Sequence, residues 1–153
     1  MAFALSVTKW SEYGYGVQPI TLTTTSFVTP RSEVLLAHGY WDRTPRWLLD
    51  VDAELRPSGF DVCWARSGTE TIQRVEAGGL TAAVLVADRV RLDGLSLLRI
   101  IRSITAELPC WLVTLAPTRA TLQAALELRV ASVIEPPLDP VVFTLAMKKL
   151  ITN

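Results

Sequence analysis

From Ser32 onward, short apolar runs alternate with segments of helical period. The runs are EVLLAH from Glu33, FDVCWA from Phe60, AAVLVA from Ala82, CWLVTLA from Cys110 and ASVIE from Ala131. Each has strand length and is followed by a segment that can be helical, so the pattern reads as five strand-helix units. The runs are continuous, not alternating, which means both faces of the sheet are covered. With helices between the strands, this specifies an α/β class, a three-layer α/β/α sandwich around a five-stranded parallel sheet with right-handed crossovers.

The helix ends carry their own signals. Thr44 before Pro45 suits an N-cap followed by proline at the first helical position, Ser67 to Glu70 (SGTE) is a capping box, and Asp139-Pro140 repeats the first device. The first helix runs through Trp47, Leu48, Val51 and Leu55 to Pro57, and the second stops at Gly78-Gly79, where a positive φ is needed. Leu97, Leu98, Ile101, Ile104 and Leu108 give the third an apolar stripe, and the leucines of LQAALEL (Leu122 to Leu128) read mostly as core. Ser11 to Pro30 lacks a helical period, so residues 1–32 are expected to be an N-terminal extension, flexible or an added strand, and residues 33–153 the folded domain.

Composition narrows the function classes. A chain of 153 residues, half of them apolar, can bury one substantial core. Its 15 basic residues balance 15 acidic ones, leaving no global field to hold nucleic acid or an anionic membrane directly. No apolar run is long enough to span a bilayer, and MAFALSV lacks the features of a secretory leader, so the expected location is cytoplasmic. Cys63 and Cys110 each lie inside an apolar run and read as reduced core thiols; with a single histidine in the chain, a clustered metal site is not expected.

In such sheets functional groups gather at the carboxyl ends of the strands. Those ends read AHGYWDRTP, ADRVRLDG, TLAPTR and IEPP. In this order, and with LDGLSLLRIIRSI, PCWLVT and EPPLDPVVF, the chain from Glu33 to Ile151 resembles a response-regulator receiver domain. The resemblance implies a flavodoxin-like sheet of order 2-1-3-4-5. It also implies phosphoryl transfer to an aspartate ending the third strand, with an acid pair after the first strand holding Mg²⁺, a hydroxyl ending the fourth and a lysine ending the fifth. The aspartate is the nucleophile, Mg²⁺ requires several hard oxygen ligands, and the lysine and hydroxyl stabilise phosphoryl oxygens.

Here the pattern departs from the family at several positions. The acid pair maps onto His38 and Gly39, the phosphoacceptor position falls on Ala87 or Asp88, and the lysine position is Glu135; Thr114 alone matches. Ser132 is nearest the place of the family's aromatic switch residue. Two unit charges about 4 Å apart interact by roughly 1 kcal/mol in water and about 4 kcal/mol at an effective dielectric of about 20, and replacing lysine by glutamate reverses the sign. An aspartyl phosphate would be poorly made and poorly held.

The resulting expectation is a stand-alone pseudo-receiver. It would be a non-enzymatic, phosphorylation-independent interaction module of two-component (phosphorelay) signalling, without cofactor, whose partners are signalling proteins. The family resemblance implies a homodimer surface on helix 4, strand 5 and helix 5, drawn from Thr118 to Val130, Ala131 to Glu135 and Asp139 to Ile151. The alternative is a working receiver phosphorylated on Asp88, with Asp42 or Asp93 completing an atypical Mg²⁺ site. Arg89 and Arg91 are candidate partners for Glu135, the alternative being an exposed glutamate with no partner, while His38 reads as a hydrogen-bonded structural residue. A nucleotide-binding enzyme is disfavoured, since HGYWDRTP is no glycine-rich phosphate cradle. Any role at DNA would be indirect, through a partner, as the chain leaves no room for a DNA-binding domain.

Overall fold

The computed structural model describes residues 3–10, 19–28, 32–40, 43–88 and 92–152, with side chains for 32–40, 43–88 and 92–151. The chain divides into two compact units, Met1–Arg31 and Ser32–Asn153. In the first, β1 (Phe3–Trp10) and β2 (Pro19–Val28) pair antiparallel as a two-stranded sheet, with Phe3 opposite Val28 and Trp10 opposite Pro19.

The second unit alternates strand and helix: β3 (Ser32–His38), α1 (Arg46–Leu55), β4 (Phe60–Ala65), α2 (Gly68–Ala77), β5 (Leu80–Val86), α3 (Gly94–Ile104), β6 (Cys110–Val113), α4 (Arg119–Glu127), β7 (Ser132–Ile134) and α5 (Pro140–Thr152). The sheet order is β4-β3-β5-β6-β7 with every pair parallel, the expected 2-1-3-4-5 arrangement. Strand pleating sends alternate side chains to opposite faces. Leu35, Ala37 and Leu85 pack with Val75, Leu98 and Ala125 of α2, α3 and α4. Val34, Leu36 and Val84 pack with Leu48, Val51, Phe143 and Met147 of α1 and α5. Covered on both sides, the central strands have no position for a polar alternation, which is why they read as continuous apolar runs.

Most helix boundaries follow their sequence signals. The Ser67 hydroxyl accepts from the Glu70 N–H at 3.1 Å, and the Glu70 carboxylate reaches back to the Arg66 N–H at 2.7 Å, one residue beyond the usual partner of a capping box. Asp139 accepts from the Val141 and Val142 N–H groups ahead of α5. Gly78 and Gly79, with φ of 76° and 82°, end α2.

Three expectations need correction. Helix α1 begins at Arg46 with Pro45 as its cap residue and no side-chain cap bond, so Thr44 does not cap it. Helix α3 ends at Ile104, itself exposed, while Leu108 is buried in the connection to β6. In α4 only Ala125 is fully buried, and Leu122 and Leu126 are 44% and 75% exposed. A single small side chain, Ala125, carries α4 into the core shared with α2 and α3, so most of the helix's apolar face is left uncovered. Cys63 and Cys110 are buried free thiols, as expected.

Candidate functional site at the carboxyl rim of the sheet

The strands deliver their ends to one rim. Val86 closes β5 opposite His38 of β3 and Val113 of β6, so Ala87 and Asp88 stand one and two residues beyond the last paired position. The Ala87 N–H donates to the Val113 carbonyl at 2.8 Å, and the Asp88 N–H to the Leu92 carbonyl at 2.9 Å. Thr114 is held at the end of β6 by its N–H, which donates to the Ile134 carbonyl at 3.0 Å. A cavity of about 490 Å³ opens here, with Ala87, Asp88, Asp93, Thr114 and Thr121 around an apolar floor that includes Leu92 and Leu112. Gly94 starts α3 against this floor, where a Cβ would lie 2.5 Å from Leu112 Cδ1 and 2.9 Å from Ala87 Cβ. Only glycine lets the helix N-terminus come so close.

Of the expected site residues, the fold gathers Ala87, Asp88 and Thr114 around one cavity, whereas His38, Gly39 and Glu135 do not line it. His38 is fully buried; its Nδ1 accepts the Tyr40 N–H at 3.1 Å, and its ring meets Trp64 edge-on at 5.7 Å and stacks with Tyr40 at 5.9 Å. The hydrogen bond expected of it is present, while Nε2 is buried without a hydrogen-bond partner among the described residues. Burial lowers its pKa below the ordinary value, and Arg66 adds to the effect while Glu70 opposes it. Gly39 is buried, and Glu135 is exposed just after β7, before a cis Pro136-Pro137 peptide. Arg89, Arg91 and Asp42 lie outside the described residues, and with them the candidate Glu135 ion pair.

Tyr40 is the rim residue that sequence reasoning passed over. It lines the cavity, stacks on His38, and has its pKa raised by burial and then by the charge of Asp88. An aromatic directly following the histidine and glycine was its one signal.

Among the described residues the donors do not fit a Mg²⁺ ion of the receiver kind. At the first acid position stands a buried imidazole whose Nδ1 is already engaged, and at the second a glycine. Asp93 spends both oxygens on Ser96, accepting from its N–H at 3.2 Å and its hydroxyl at 2.7 Å, and these bonds lower the Asp93 pKa. Among the described residues no three His, Cys, Asp or Glu side chains cluster to hold a metal. Hard divalent cations need several oxygens at once.

No family model and no curated protein matches the chain. Solved structures do. A response regulator receiver domain protein from Methanospirillum hungatei JF-1 superposes with a TM-score of 0.70 at 16% identity, covering 80% of this chain and 94% of that one. A response regulator from Thermotoga maritima gives 0.67 at 17%, covering 80% and 99%. The signal receiver domain of an HD domain-containing protein from Pseudomonas fluorescens Pf-5 gives 0.69 at 22%, covering 84% and 93%. The five-stranded unit thus has the fold of the response-regulator receiver domains.

Proposed function

We propose that the chain is a pseudo-receiver, a protein-interaction module of two-component signal transduction that works without phosphate chemistry. The observation that carries this reading is the composition of the rim. His38 and Gly39 take the place of the metal-binding acids, Glu135 takes the place of the phosphate-binding lysine, and Ala87, Asp88 and Thr114 remain around the cavity. The module is cytoplasmic, performs no catalysis and needs no cofactor. Its partners are signalling proteins, and it binds neither membrane nor nucleic acid directly; among the described residues no helix is long and apolar enough to cross a membrane.

The docking surface is the edge formed by α4, β7 and α5. Leu122 and Leu126 of α4 and Val141, Val142 and Leu145 of α5 are exposed there, an apolar set that meets a partner or a second copy.

A second reading, phosphorylation of Asp88, is favoured by Asp88 and Thr114 sharing one cavity. Incubation with a small phosphodonor and Mg²⁺, followed by intact mass, separates the two. The pseudo-receiver gives no adduct; an adduct on the wild type that disappears in Asp88→Ala overturns it.

A further inference from the structure

Tyr40, two residues beyond the end of β3, is held by the chain's single histidine, His38. Because His38 Nδ1 accepts the Tyr40 N–H, the neutral ring carries its proton on Nε2, and any second proton must enter at Nδ1. Nδ1 would then be a donor facing another donor at 3.1 Å, and the bond cannot survive. Charging the ring in place is unfavourable, since it is fully buried beside Trp64 and Tyr40. Among the described residues the charges acting on it are Arg66, following β4, which opposes protonation, and Glu70 of α2, which offsets part of that; on β5 its register partner is Val86. Tyr40 is also a wall of the rim cavity and lies within electrostatic reach of Asp88.

We propose that His38 is a proton-operated latch: its neutral ring holds Tyr40 in the wall of the cavity, and uptake of a solvent proton at Nδ1 releases Tyr40 from that wall. The device lies at the position where receivers keep a metal-binding acid, and it uses a proton where they use a phosphoryl group. It goes beyond the pseudo-receiver reading without depending on it, because the mass measurement decides phosphorylation and a pH titration decides the latch.

The test is an NMR titration of the full chain from about pH 7.5 to about pH 4.5, spanning the ordinary imidazole and carboxylate ranges. With one histidine, the ring resonances are assigned without mutagenesis. The expected result is a His38 midpoint below 6.5 with the Tyr40 amide moving at the same midpoint, while the core amides of Leu98 and Leu112 stay in place. In His38→Gln the Tyr40 response disappears, and in Asp88→Asn it persists. The latch is overturned if the Tyr40 amide stays still while the ring titrates, or if core amides move with it as in general unfolding. It is equally overturned if Asp88→Asn removes the response, or if His38→Gln keeps it. Should His38→Gln fail to fold, the wild-type and Asp88→Asn titrations still decide.

Discussion

Gly94 shows how a single missing Cβ sets the floor of the rim. In Gly94→Ala the new methyl meets Leu112 Cδ1 and the Ala87 Cβ, and although the leucine can turn aside, the Ala87 methyl is fixed to the strand end. Overpacking of this kind costs about 1–3 kcal/mol, so the variant should show a lower urea midpoint with an unchanged slope; an unchanged midpoint would mean that α3 has slack at its N-terminus. His38 makes a pH-dependent contribution of definite sign. Its folded pKa is depressed, so the fold favours the neutral ring, and the associated stability is fully present above the ordinary value of 6.5. It is lost as pH falls from there through the folded value, because the unfolded chain takes up the proton first. Urea midpoints measured from pH 7.5 to pH 5 should therefore fall more steeply for the wild type than for His38→Gln, and parallel curves would contradict the assignment. The two cysteines present the opposite case: burial raises both thiols to about 11. Both should react with an aromatic disulfide reagent only as fast as the chain opens.

Among the elements, the clearest long-range fastening is one that no local pattern announces. Arg102 of α3 donates from Nε to the Leu128 carbonyl at 2.8 Å and from Nη1 to the Leu108 carbonyl at 2.7 Å. Its Nη2 reaches the Arg129 carbonyl at 3.2 Å, so one guanidinium joins the end of α3, the connection to β6 and the end of α4. Charge-assisted bonds of this sort contribute roughly 1.5–3 kcal/mol each against leaving the carbonyls unpaired, though losses in one network are not additive. Arg102→Ala should lower stability by about 2–4 kcal/mol, and Arg102→Lys should recover little of it, since an ammonium cannot fork to three carbonyls. Full rescue by lysine in thermal melts would reduce the contact to simple charge. In sequence, Arg102 is one more polar residue on an amphipathic helix, and these three partners lie six to 27 residues away. What the sequence made legible was local or periodic: five apolar runs, the Ser67 and Asp139 caps, and the Gly78-Gly79 stop. The rim was legible only where fold and residue order suffice, at Ala87, Asp88 and Thr114. Tyr40 was missed because its role comes from a side-chain stack and a cavity wall. The α4 leucines were misjudged because helical period shows that a face is apolar but not whether the fold has anything left to cover it with.

At the scale of the whole molecule, that uncovered face bears directly on assembly. The edge strand β7 has only three residues, and the helices on either side of it belong to opposite layers, with Ala125 of α4 in one core and Phe143 and Met147 of α5 in the other. Leu126 at 75%, Val142 at 63% and Leu145 at 60% exposure therefore contribute little to either core. Apolar side chains of this size gain roughly 1.5–3 kcal/mol each when fully buried, enough for several to offset a modest association entropy but too few for an obligate interface. The expected behaviour is a reversible dimer of micromolar strength, seen by sedimentation as a mass that rises with concentration. Leu126→Glu and Val142→Glu should each weaken it by about tenfold or more, because each would carry a desolvated charge into the contact. The same substitutions should leave the melting temperature of the monomer nearly unchanged, as neither side chain supports the fold it sits on. A chain that stays monomeric at several hundred micromolar would assign the face to a different protein, and a large loss of monomer stability in either variant would mean that these residues belong to the core after all.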